Sequence, residues 1–220
     1  MNRPNTIIFA LIFLLAGISS CTITQEYHFN KDMSGSVSST IDMSQLIDYM
    51  NSMDTSNSSQ SLDTLDNTFK EAAQELEDMG AENVQFGWKT DEKKVLYINY
   101  EFSDIEMLNK ISASNEMTKS VLGQNDNPAN TIKFETNGRR ELIYDAPVLK
   151  NDSLSDSDME SIGEMYTFET IFSFDRKIKS LDNDSYTISE DGKSFSQTLT
   201  LNDLYSEEIS RDFKLKLKFF

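Results

Sequence analysis

Two reactive side chains stand alone in this 220-residue chain: Cys21, its single cysteine, and His28, its single histidine. Any Ser-His-Asp or Cys-His nucleophilic centre would have to be built on His28. A zinc site of cysteines and histidines needs three or four such ligands, more than the chain contains. Tyr27 and Phe29 alternate with His28, which places the imidazole on the solvent side of a strand. Carboxylates are abundant, at 37 Asp and Glu. Glycoside hydrolysis needs two of them about 5–10 Å apart with separated pKa values, and no spacing singles out a pair. In DSDMESIGEMYT (156–167), Asp156, Asp158 and Glu160 fit the first three oxygen positions of a calcium loop. The sixth position is Ser161 instead of Gly and the twelfth is Thr167 instead of Glu, so the segment reads as the acidic start of a short helix. No phosphate-binding glycine loop, nucleophile elbow or Ser-Lys motif is present. No catalytic, cofactor-binding or metal-ligating residue is therefore assigned.

Cys21 has a more specific setting. The chain opens MNRPN, with one positive charge at Arg3, and continues with an unbroken apolar run from Ile7 to Ile18. Twelve residues are too few for the roughly 20 that span a bilayer, and they match the roughly 7–15-residue core of a secretory signal. Ser19 and Ser20 follow, then Cys21. This "ISSC" resembles the lipobox of bacterial lipoproteins: an aliphatic residue, two small residues that let a peptidase approach the backbone, and the cysteine. The resemblance implies cleavage after Ser20, a diacylglycerol thioether on Cys21, and a further palmitate-type acyl chain on the new amino terminus. At about 0.8 kcal/mol per buried methylene, several chains together make a stable anchor. The expected division is a cleaved lipoprotein signal peptide at 1–20 and a single envelope domain at 21–220. By analogy with enterobacterial lipoproteins, Thr22 in place of Asp favours the outer membrane. TITQEYHF lacks an acidic export cluster, which favours the periplasmic face.

Without residues 1–20 the chain carries 19 basic and 37 acidic side chains, a net charge of −18. Such a charge repels phosphate backbones, so nucleic acid is excluded as a partner. About 200 residues, with 14 Phe and 8 Tyr, are enough to bury a sizeable core.

The elements that would position these residues read as hairpins and helices. ITQEYHF and SVSSTIDM alternate on either side of a DMSG turn and form a β-hairpin. SQLIDYM is a short helix, and NSMDTSNSSQS (51–61) a polar loop. In SLDTLDNTFKEAAQELEDMG, Leu62, Leu65, Phe69, Ala72, Ala73, Leu76 and Met79 recur at helical spacing, with Ser61 as cap and Gly80 as stop. A second hairpin turns at Thr90–Lys93, and Ser103 caps the helix DIEMLNKIS. TIKFETNGRRELIYD is a hairpin turning at Asn137-Gly138, where a two-residue turn puts both positions at positive φ. YTFETIFSF, SYTISEDGKSFSQTLTL and the closing FKLKLKFF are strands. The expected fold is α+β: an antiparallel, hairpin-rich curved sheet or sheets, with a long amphipathic helix and short helices packed on one side.

YHFNKDMSGSVSSTIDMS, YEFSDIEMLN and FDRKIKSLDNDSYTISEDGKSF together resemble a group of uncharacterised Bacteroidota envelope lipoproteins. The final segment is more remotely similar to the closing hairpin of LppM-type lipoprotein domains. The resemblance implies an envelope domain and carries no active residue. Two features bear on binding: the basic stripe Lys214, Lys216 and Lys218, otherwise a charged edge strand, and the aromatic hairpin Phe86, Trp88, Tyr97, Tyr100 and Phe102, otherwise core. The resulting expectation is a non-enzymatic lipoprotein held to the membrane through Cys21, binding an envelope protein or a lipid or glycan ligand. A glycan hydrolase with an unidentified carboxylate pair and a lipid carrier with an apolar cavity are the competing readings.

Overall fold

The computed structural model describes residues 21–45, 47–48, 58–114, 132–146, 166–206 and 208–218. Its elements run β1 (Cys21–Phe29), β2 (Gly35–Asp42), α1 (Ser58–Met79), β3 (Glu82–Trp88), β4 (Val95–Phe102), α2 (Ile105–Ser114), β5 (Lys133–Thr136), β6 (Glu141–Asp145), β7 (Tyr166–Phe174), β8 (Ile178–Leu181), β9 (Thr187–Ile188), β10 (Ser194–Thr200), α3 (Leu201–Tyr205) and β11 (Phe213–Leu217). The strands form two open sheets, one of seven strands in the order β3-β4-β2-β1-β7-β10-β9 and one of four in the order β5-β6-β11-β8. Every pairing is antiparallel except β1 with β7.

Period-two alternation sorts the large sheet into faces. Tyr27 and Phe29 of β1, Val37 of β2, Leu96, Ile98, Tyr100 and Phe102 of β4, Phe172 and Phe174 of β7, and Phe195 of β10 are buried on one face. Against them the small sheet packs Phe134, Leu142, Tyr144, Phe213 and Leu215, and helices α1 and α2 pack Phe69, Ala73, Leu76, Leu108 and Ile111. Phe172 touches five aromatic rings, stacked on Tyr27 at 5.2 Å and on Phe195 at 5.1 Å, and edge-on to Phe213 at 4.8 Å. Burial pushes the hydroxyl pKa values of Tyr27, Tyr100, Tyr144 and Tyr186 upward, so these phenols stay neutral.

The strand register shows a polar row across this inner face. Ser39, Gln25, Thr170 and Gln197 stand side by side on β2, β1, β7 and β10. On one side lies the packed row Val37–Tyr27–Phe172–Phe195, and on the other Ile41–Ile23–Phe168–Leu199. Beyond the row a second small core joins Leu199, Leu201 and Leu204 with half-buried Tyr166, Phe168, Tyr205 and Ile209.

Several local expectations are corrected. α1 begins at Ser58, three residues before the expected cap Ser61 and within the expected polar loop 51–61. The cap of α2 is Asp104, not Ser103: Asp104 Oδ1 accepts from Met107 N at 2.9 Å. The β5–β6 turn spans the four residues 137–140 with Gly138 alone at positive φ, 66°, so it is not a two-residue turn. Ser44, Gln45, Ile47 and Asp48 of SQLIDYM are helical. The 156–165 part of the calcium-like segment, and Phe219, lie outside the described residues. Gly35 is required where it stands, since a Cβ there would sit 1.8 Å from the His28 carbonyl oxygen.

Candidate functional site

Cys21 is the first residue of β1. Its neighbour Thr22 pairs with Asp42 of β2, and Cys21 itself pairs with Tyr166 of β7. Its side chain points to the inner face, half-buried, where burial and the Asp42 charge push the thiol up to about 11. A thiol in that state is almost wholly protonated at neutral pH and a poor nucleophile. No redox or thiolate chemistry follows from this position.

His28 lies on the outer face of the same strand, as the alternation requires, but it has partners 145 and 147 residues away. Ser173 Oγ is 3.0 Å from Nδ1, and Asp175 Oδ1 is 3.6 Å from Nε2. Ser173 Oγ also lies 3.3 Å from the Tyr27 carbonyl. The residue types of a hydrolytic triad thus converge across the parallel β1–β7 pair, which sequence spacing could not reveal. The surroundings do not serve acyl transfer. Ser173 is paired on both sides, with His28 of β1 and Ser194 of β10, so the ladders occupy the strand amides that an oxyanion would need. His28 and Asp175 are each 39% exposed. The cluster is a cross-strand tie.

Beside it, a cleft of ≈ 390 Å³ is lined by His28, Asn30, Ser36, Glu82 and Glu101. A second, open cleft of ≈ 600 Å³ lies against the small sheet, lined by Asp145, Asp182, Asn183, Asp212 and Lys214 among others. Two of its four aspartates are committed to the backbone: Asp212 Oδ1 accepts from Ala146 N at 2.7 Å, and Asp182 Oδ1 from Lys214 N at 2.6 Å. A glycosidase acid needs burial to raise its pKa. Among the described residues Gln197 is the one buried polar side chain, and no Asp or Glu is buried. The carboxyls with a resolved shift (Asp32, Asp66, Asp104, Glu141 and Asp191) are all held below the ordinary range, each chiefly by a hydrogen bond.

The two expected binding features come apart. Tyr100 and Phe102 are core, Trp88 is half-buried, Phe86 is 40% exposed, and Tyr97 lies on the opposite face. They do not converge on one cleft. Trp88 Nε1 instead donates to Asp66 Oδ1 at 2.5 Å, and Lys93 Nζ to Asp66 Oδ2 at 3.0 Å, clasping α1 to the β3–β4 hairpin. In the lysine stripe, Lys214 pairs with Glu141 at 2.8 Å, and Lys216 stands opposite the same glutamate. β11 lies between β6 and β8, so the stripe is not a charged edge strand but part of a mixed-charge sheet face. Groups of three or more His, Cys, Asp or Glu able to hold a metal are absent among the described residues.

No family model matches the chain, and no curated protein matches it. Among solved structures, the folded domain of LppM from Mycobacterium tuberculosis aligns over 90% of both chains, with 13% identity and a TM-score of 0.42. A likeness of that degree establishes neither fold nor function.

Proposed function

We propose that the chain is a lipid-anchored cell-envelope lipoprotein: residues 1–20 are removed after Ser20, Cys21 carries the acyl chains, and residues 21–220 form a non-enzymatic binding domain at the periplasmic face of the outer membrane. The observation that carries this reading is the absence of a leash. β1 begins at Cys21 itself and is paired on both sides. A lipid on that residue holds the sheet against the bilayer, and the half-buried Ile23, Ile41, Tyr166 and Phe168 gather at the same end. A mobile tether between lipid and fold would be expected of a module that reaches for distant targets.

The test is metabolic labelling of the full chain with an alkyne palmitate in a bacterial host, followed by membrane fractionation on a density gradient. Labelling that Cys21→Ser abolishes, with the protein leaving the outer-membrane fraction, supports the reading. An unlabelled chain, or label that survives Cys21→Ser, overturns it. No observation favours the hydrolase or the lipid carrier: the described acids are not buried, and ring-on-ring packing fills the space between the sheets.

A further inference from the structure

At the end of the sheet away from Cys21, the start of β3 and the end of β4 with the link after it carry Glu82, Glu101 and Asp104, whereas the side next to the small sheet differs in charge from the rest of the chain. Turns and strand ends meet there: the β1–β2 turn with Lys31, the β5–β6 turn with Arg139 and Arg140, the β7–β8 link with Arg176 and Lys177, the β9–β10 turn with Lys193, and the end of β11 with Lys218. These segments hold seven of the 20 basic residues and only four of the 37 acids, a net +3 in a chain of net −17. Two of the four acids turn back into their own loops. Asp32 Oδ1 accepts from Ser34 N and Oγ, and Asp191 Oδ1 from Lys193 N and Ser189 Oγ. A third, Asp175, faces His28.

The tip is also pre-organised. The half-buried Arg176 donates from Nη1 to the Arg139 carbonyl and from Nη2 to the Lys31 carbonyl, binding three loops together. Leu217 N donates to Arg140 O at 2.8 Å, Lys218 N to Lys177 O at 2.8 Å, and Ile178 N to Gly192 O at 2.8 Å. Lys31, Arg139, Arg140, Lys177, Lys193 and Lys218 are all exposed. A rigid surface of net positive charge, on a body of net negative charge, loses little conformational entropy on binding and steers an acidic partner toward itself.

We infer that this tip is a docking surface for an acidic segment of a partner protein. The inference rests on the lipoprotein reading in one respect, the orientation of the molecule. β1 spans nine residues from Cys21 to Phe29, so the tip stands on the order of 30 Å from an anchor at Cys21, beyond a Debye length from the anchoring bilayer. Arg176 spends its fork on two carbonyls, and the surface presents the Arg139–Arg140 pair ringed by lysines. Ammonium groups on flexible stems adapt to carboxylates at irregular spacing, as along an acidic peptide.

The experiment measures binding of a fluorescent peptide of about a dozen glutamates to the acylated full chain in neutral nanodiscs, by anisotropy, against an uncharged peptide of equal length. Arg139→Gln, Lys177→Gln and Lys193→Gln together remove charge from exposed positions. Lys70→Gln, Lys89→Gln and Lys133→Gln remove as much from outside the tip. Binding that weakens about tenfold in the tip variant, holds in the control and declines as salt rises supports the inference. Absence of peptide binding, equal loss in both variants, or tighter binding of phosphatidylglycerol vesicles or inorganic polyphosphate overturns it. The same titration on Cys21→Ala gives an unchanged affinity if the tip is the site, so failure of the anchor and failure of the tip are read separately.

Discussion

The two ends of the large sheet's inner face share the same central strands and are stabilised differently. Toward the tip, Tyr27, Phe29, Phe172, Phe174 and Phe195 lock against Phe134, Tyr144 and Phe213 from the small sheet, with ring centroids 4.8–6.0 Å apart. Toward Cys21, beyond the row of Ser39, Gln25, Thr170 and Gln197, the apolar side chains are smaller or half-buried. There α1 is clasped by the contacts of Asp66 with Trp88 and Lys93. Dispersion and burial hold one end; hydrogen bonds and charge take a larger part at the other. Rigidity thus collects under the basic tip, and the apolar residues left half-covered collect at the proposed anchor.

The largest effect that would break this comparison is in the ring cluster. Phe172 is fully buried, and Phe172→Ala should cost about 3–5 kcal/mol, seen as a lower urea midpoint. Phe168→Ala, four residues earlier on the same face, removes a half-buried ring and should cost about 1–2 kcal/mol. Equal losses would mean that the two ends are packed alike. Next in size is the polar row. Gln197, 6% exposed, donates from Nε2 to Ser185 Oγ at 2.8 Å and to Ser210 O at 3.2 Å. Gln197→Ala leaves both acceptors without that donor and should cost about 1–3 kcal/mol. Gln197→Glu should be worse, since a carboxylate cannot donate to them. If Gln197→Leu proves neutral, the row is not a polar divide but a replaceable filler.

How much of this was legible beforehand follows the range of each interaction. The hairpin strands β1, β2, β4, β7 and β10 were readable because Tyr27, Val37, Leu96, Phe172 and Phe195 carry the two-residue period in their own segments. α1 was readable from Phe69, Ala73 and Leu76. Long-range pairing was not: nothing in the sequence aligns Cys21 with Tyr166, and without that parallel register His28 has no visible partner in Ser173 or Asp175. Composition misled on charge. Three alternating lysines in FKLKLKFF drew notice as a basic stripe, whereas the structure sets Lys214 against Glu141 and gathers basic loops from five separate segments at the tip. Local rules also missed α3, whose cap is a reciprocal pair: Asp203 N donates to Thr200 Oγ1, and Thr200 N to Asp203 Oδ2.

The smallest effects sharpen the comparison through pH. The Asp66 carboxyl is held below the ordinary range by hydrogen bonds from Lys93 and Trp88. A carboxyl depressed in the folded state contributes stability that is complete above its unfolded pKa and is lost as pH falls through the folded value. The pair is 41% and 39% exposed at Lys93 and Asp66, so solvent screening limits it to about 0.5–1 kcal/mol. Asp66→Asn should therefore lower the urea midpoint slightly at neutral pH and converge with the parent in acid. Salt should narrow the difference at neutral pH. Lys214→Gln supplies the counterpart on the small sheet. Lys214 is exposed and its partner Glu141 also takes a hydrogen bond from Asn137, so losing the lysine should leave the thermal midpoint unresolved from the parent. A pH-dependent loss from Lys214→Gln as large as that from Asp66→Asn would place charge stabilisation on both sheets, and the division between a ring-locked end and a clasped end would not hold.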